Sequence, residues 1–250
     1  MNALLIVGHG SLRQASGAAM IRLAALARNE GIASISTAGF LNFSRPTFAE
    51  AVTRCVSKGA TSISVQPYFL IDGYYVNRAL PKLVKEAQAE HLGVSFQMAE
   101  PFTHHPALSD LVLKRAAAAP HDPRDSALLL MAHGTPHEAA NASIFKVAED
   151  VRRKSGYSRV SVSFMELNTP SIADAVDALV EEGISTVVAV PYFLHLGEHV
   201  TKDLPAAIEQ ARERWPATTF HLSDYLSYDP LLLKVIRDRV GAAGVAERSS

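Results

Sequence analysis

Leu4-Leu5-Ile6-Val7-Gly8-His9-Gly10-Ser11 returns later in the chain as Leu128-Leu129-Leu130-Met131-Ala132-His133-Gly134-Thr135, displaced by 124 residues. Each copy is a short apolar run that stops at a His-Gly pair, as a buried strand stops at a sharp turn. The same displacement relates Pro46 to Pro170, Gly59 to Gly183, Pro67 to Pro191 and Gly73 to Gly197. It also relates Phe69-Leu70 to Phe193-Leu194, Leu80-Pro81 to Leu204-Pro205 and Pro106 to Pro230. Chance does not hold a gapless register over about a hundred residues, so the chain is an internal duplication. Its junction falls near Pro120–Asp125, where Pro, His and Asp interrupt the helical pattern.

Outward from these runs, strands alternate with helices. Leu4–Val7, Ser34–Ala38, Ser62–Val65 and Val94–Met98 read as strands in the first half. Leu128–Met131, Val160–Phe164, Val187–Val190 and Thr218–Leu222 read as strands in the second. Such short apolar or β-rich runs suit strands buried on both faces of a parallel sheet. Ile144, Val147, Ala148 and Val151 keep the spacing of one helix face, as do Ile172, Val176, Leu179 and Val180. Thr169-Pro170 and Asp229-Pro230 put a capping side chain before a first-turn proline, so helices are expected to begin there. The expected architecture is α/β, with two similar lobes, each a four-stranded parallel sheet flanked by helices. The expected boundaries are residues 1–120 and 125–242, followed by a tail at 243–250.

Composition narrows the function. With 48% hydrophobic and 20% charged residues, the 250-residue chain has an ordinary globular make-up. A net charge of −1 gives no general attraction for nucleic acid or anionic membrane. The single cysteine, Cys55, excludes a disulfide, a Cys-ligated iron–sulfur cluster and a four-cysteine zinc site within one chain; a buried place on the helix near 47–58 suits it. No signal-peptide or membrane-span pattern opens the sequence, which points to the cytoplasm. There is no P-loop and no Gly-x-Gly-x-x-Gly after a strand, so no nucleotide is expected.

Ligands of open parallel sheets bind beyond the carboxyl ends of the strands. In the second half His133, Glu166 and His199 each follow a strand, 33 residues apart. Any one of them alone is more often a loop or capping residue. Together, on successive βα units, they would reach one rim. Two imidazoles and a carboxylate suit a borderline divalent ion such as Co²⁺, Fe²⁺, Ni²⁺ or Zn²⁺, and leave coordination positions open. The first-half counterparts are His9, Asn42 and Tyr75, which lack the anionic oxygen and the second imidazole. The working site is therefore expected in the second lobe, and a degenerate one in the first.

At these residues the chain resembles the class II tetrapyrrole chelatases, the sirohydrochlorin cobalt/iron chelatase family in its two-lobe form. The resemblance lies in the two His-Gly segments, in Phe164–Ser171, in Val190–Val200 and in Asp203-Leu204-Pro205. It spans nearly everything before about Gly241. It implies two chelatase-like lobes facing across a cleft that holds a polycarboxylate tetrapyrrole, with His133, Glu166 and His199 as catalytic and metal-handling residues. On that reading a divalent metal, cobalt or ferrous iron with nickel as a further option, is inserted into sirohydrochlorin for cobalamin or siroheme biosynthesis. His133 is the preferred base for the two pyrrole N–H protons, because an imidazole exchanges protons near neutral pH.

Arg13, Arg45, Arg78 and Lys202, near strand-end loops, are candidates for the substrate carboxylates. His9 is either an auxiliary base or a hydrogen-bonded loop residue. His195 and His137 are secondary, and His104-His105 read as loop and cap. The duplication can replace a homodimer, which is compatible with a monomer. The rivals are a non-catalytic tetrapyrrole or metal carrier, a chelatase for another metal or ring, and a histidine phosphatase. The last needs an arginine before the His-Gly pair, where Gly8 and Ala132 stand.

Overall fold

A computed structural model of the chain describes residues 1–11 and 17–246. The first sheet contains β1 (Asn2–Gly8), β2 (Ile35–Phe40), β3 (Ser62–Pro67) and β4 (Ser95–Met98), in the order β2-β1-β3-β4. The second contains β5 (Ser126–Ala132), β6 (Arg159–Phe164), β7 (Thr186–Pro191) and β8 (Thr219–Leu222), in the order β6-β5-β7-β8. Every pairing is parallel. Each strand of the first sheet starts and stops 124 residues before its counterpart in the second. The duplication is thus kept residue for residue through both sheets.

Helices α1 (Ala18–Asn29), α2 (Phe48–Ser57), α3 (Leu80–Glu90), α4 (Pro106–Ala116), α5 (Glu138–Lys154), α6 (Ile172–Glu181), α7 (Leu204–Arg214) and α8 (Pro230–Ala246) cover the sheets. On one face of β1, Leu5 and Val7 pack with Val52 and Cys55 of α2 and with Leu80 of α3. Leu129 and Met131 of β5 pack in the same way with Val176, Leu179, Leu204 and Ile208. Leu4 and Ile6 point to the opposite face of β1 and are equally buried, which explains the unbroken apolar run. Cys55 lies buried on α2, and burial pushes its thiol up to about 11.

By their contacts the residues form two compact units, Met1–Thr103 with Tyr228–Ser250, and His104–Ser227. This differs from the expected boundaries at 120 and 125, because the fourth helix of each half belongs with the other half. Helix α4 packs on α5 and β7. Lys154 Nζ reaches Ser109 Oγ at 2.8 Å and Asp110 Oδ1 at 2.6 Å. Arg115 donates to the carbonyls of Tyr225 and Leu226 at 2.9 and 2.6 Å. Helix α8 packs on α1, β3 and β4, and its Arg239 pairs with Glu100 at 2.5 Å.

Two further expectations are corrected. The expected tail at 243 is still helix, since α8 runs to Ala246. Helix α6 begins at Ile172 rather than after Thr169, with Ser171 as its cap and Asp174 completing a capping box. The Pro170 carbonyl accepts from Phe164 N at 2.9 Å and Ser171 bridges Phe164, so this segment runs beside the end of β6 before the helix turns away. At Asp229-Pro230 the expectation holds, with Asp229 Oδ1 capping Leu231 N at 3.1 Å. Among the described residues no helix is long and apolar enough to cross a membrane.

Candidate active site

Strand β5 lies between β6 and β7, so the loops carrying Glu166 and His199 flank the loop carrying His133 at the carboxyl rim of one sheet. The first two loops are tied through their backbones. Glu166 N donates to His133 O at 3.1 Å, and Asn168 Oδ1 accepts from Thr135 N at 2.7 Å. Gly134 makes this approach feasible. Its φ is +92°, and an added Cβ would stand 2.2 Å from the Glu166 carbonyl oxygen. Gly10 meets Asn42 in the same way in the first unit, at 1.9 Å.

His133 and His199 are brought together. Their rings are 4.9 Å apart and edge-to-face, and both are half-buried. His133 Nδ1 faces the Gly134 carbonyl at 3.1 Å. A carbonyl offers only lone pairs, so Nδ1 carries the hydrogen and Nε2 the lone pair. His199 opens a single turn of π-helix, His199–Asp203, and its Nδ1 lies 2.8 Å from Asp203 Oδ2. That carboxylate fixes the same tautomer. Among the described residues neither Nε2 has a hydrogen-bond partner.

Glu166 is exposed, and among the described residues no three His, Cys, Asp or Glu side chains already stand together as a metal cage. Of the expected triad, the two imidazoles are adjacent, and the Glu166 side chain is exposed. Leu167 beside it has φ +66° and is 61% exposed, an uncommon state for a bulky residue.

The first unit answers differently at the same positions. His9 Nδ1 donates to the Gly10 carbonyl at 3.0 Å, while Nε2 receives the Tyr75 hydroxyl at 2.7 Å. Asn42 Nδ2 lies 3.5 Å from the same nitrogen. Both ring nitrogens of His9 thus have hydrogen-bond partners.

Two of the expected carboxylate-binding cations are already paired with carboxylates. Arg45 is bound to Glu50 of the α2 capping box, and Lys202 pairs with Glu198 at 2.8 Å. Arg78 is exposed on the turn before α3. Arg13 lies outside the described residues. His137 stands exposed at the start of α5, and His195 is half-buried in the loop after β7. His105 caps α4 by accepting from Ala107 N at 3.1 Å, as expected, and His104 meets Asp150 at 2.7 Å. The residue that sequence reasoning passed over is Asp203. Its signal was the four-residue spacing from His199, together with Ala79 at the matching place in the first half.

Fold and rim together place the chain among the class II chelatases that its motifs resemble. A family model for CbiX matches residues 3–119 and again 127–243, and the chain belongs to that family. These matches follow the sequence repeat, not the exchanged helices. The chain is 26% identical over 243 residues to a sirohydrochlorin cobaltochelatase of Priestia megaterium, covering 96% of this chain and 79% of that protein. It is 23% identical over 242 residues to a sirohydrochlorin ferrochelatase of the same organism, covering 96% and 90%. Among solved structures, SirB from Bacillus subtilis with Fe³⁺ superposes with a TM-score of 0.89 at 19% identity, over 100% of this chain and 98% of that one.

Proposed function

We propose that this chain is a sirohydrochlorin chelatase that inserts a divalent ion, cobalt or ferrous iron, into the metal-free ring, for cobalamin or siroheme biosynthesis in the cytoplasm. The observation that carries the reading is the His133–His199 pair, two adjacent imidazoles whose Nδ1 hydrogens are both committed. The names of the relatives supply the substrate class.

The residues account for the steps. The metal, as substrate, binds Nε2 of His133 and of His199, the ligand type that borderline ions favour. Exposed Glu166 swings in on its rotatable side chain and offsets the ion's charge. The ring then presents its own nitrogens and loses two N–H protons as the metal enters. A histidine that gives up the ion regains a lone pair, so His133 Nε2 can take one proton and the Glu166 carboxylate the other. Products are the metallated ring and two protons, and charge balances.

Spectroscopic assays with sirohydrochlorin and Co²⁺, Fe²⁺ or Ni²⁺ test this. Insertion faster than the uncatalysed rate, and lost in His133→Ala, is expected. Ring and metal binding with no acceleration would instead make the chain a carrier.

A further inference from the structure

Two turns of the same uncommon geometry stand at matching places in the two units. Tyr75–Ala79 and His199–Asp203 are each one turn of π-helix, and each runs straight into an α-helix, α3 or α7. The Leu80 amide donates to the Tyr75 carbonyl, and the Leu204 amide to the His199 carbonyl, five residues back. An α-helix would bond four residues back. The backbone stays right-handed helical across the join, with φ −60° at Glu198 and φ −72° at Asp203. Pro81 and Pro205 therefore lie within a continuous helical stretch, not at a free helix start. A proline there has no N–H for the carbonyl four residues earlier, Asn77 or Thr201, and its ring presses on that carbonyl. In both units the turn ahead of the proline takes in one extra residue.

That extra residue decides where His199 points. Leu204 is fully buried and shares one core with Leu129 and Met131 of β5. His133 stands two residues beyond Met131, so its partner has to leave the helix on the Leu204 side. In an unbroken α-helix, side chains five residues apart diverge by about 140° around the axis. The i→i+5 turn instead gives them the near-overlay that residues four apart have in an α-helix. His199 is thereby brought over Leu204, half-buried and 4.9 Å from His133. Tyr75 meets His9 at 4.6 Å by the same device.

We infer that Pro205 is a positioning residue for metal capture, holding the π turn that aims the His199 imidazole at His133. Asp203 fixes the ring about its own bonds, but it lies in the same turn and would rotate with it. The inference rests on the proposed reading of the His133–His199 pair as the metal site.

The test reads Co²⁺ binding to the ring-free full chain, followed by the visible absorption bands of the bound ion. Pro205→Ala restores an N–H and lets the turn close as α-helix, which should weaken Co²⁺ binding by about tenfold or more. Pro81→Ala makes the same backbone change in the first unit and should leave Co²⁺ affinity within about twofold of wild type. Deleting Thr201 from the Pro205→Ala chain leaves four residues from His199 to Leu204, the α-helical overlay, and should recover most of the lost affinity. Pro205 is only partly buried, and circular dichroism checks that all three variants fold. Co²⁺ affinity in Pro205→Ala within about twofold of wild type would overturn the positioning role. So would an equal loss in Pro81→Ala, or no recovery on deletion of Thr201. Wild-type protein that binds no Co²⁺ would overturn the metal-site reading as well, and so separates the two failures.

Discussion

The Nδ1 atom of His199 lies 2.8 Å from Oδ2 of Asp203, four residues on in the same π turn. The carboxylate sets the ring's tautomer and its orientation, and both partners are missing together from the first unit, where Tyr75 and Ala79 stand. Asp203→Ala should therefore raise the KM for Co²⁺ by about 10- to 100-fold and change kcat less. Asp203→Asn, which keeps an acceptor oxygen, should lose less. Steady-state titration of the metal at saturating ring checks both, and an unchanged metal KM in Asp203→Ala would remove the residue from the site.

His133→Ala should lower insertion by about 100-fold or more, because one side chain is both ligand and base. Glu166→Gln should lower it strongly but less. Neither side chain belongs to the apolar core, so thermal melts should stay within a few degrees of wild type.

His9→Ala should cost far less than His133→Ala, since Tyr75 already occupies its Nε2. Equal losses would mean that the working rim has been assigned to the wrong unit. The converse is a graft. Asn42→Glu, Tyr75→His and Ala79→Asp together should add a second equivalent of Co²⁺ in calorimetric titration.

Gly134→Ala should destabilise the fold by about 2–3 kcal/mol, measured in urea. Its Cβ would run into the Glu166 carbonyl from a backbone angle that alanine resists. Activity should fall with stability, because the same contact sets the height of Glu166 beside His133.

Cys55 gives a prediction in pH. Burial raises its thiol from 9.0 to about 11, so the folded chain keeps its proton where the unfolded chain releases it. The raised value stabilises the fold fully below pH 9, and that contribution fades as pH climbs from 9 towards 11. An aromatic disulfide reagent at pH 8 should leave the native thiol unlabelled and react at once in denaturant.

The sheets were legible because the duplication is gapless. Two readings of every strand were available, and the runs of β1 and β5 had no polar face to confuse them. The exchanged helices were not legible, for a reason that symmetry supplies. The halves present matching surfaces, so the apolar stripes of residues 106–116 and 230–246 fit either sheet equally well by pattern. At the rim, 33-residue spacing put His133, Glu166 and His199 in the segments that follow adjacent strands. It could not show that the Glu166 side chain lies exposed, since spacing along the chain does not set a loop residue's rotamer. The pairing of His199 with Asp203 stood in plain view as an i,i+4 spacing, but a loop reading of that segment hid it.

Because Tyr228–Ser250 completes the unit that Met1 begins, that unit stays open until helix α8 has been made, while His104–Ser227 can close earlier as one continuous stretch. The unit bearing the imidazole pair should thus mature before the unit bearing His9. A chain stopped just before Tyr228 would keep the His133–His199 pair and leave the first sheet without helix α8.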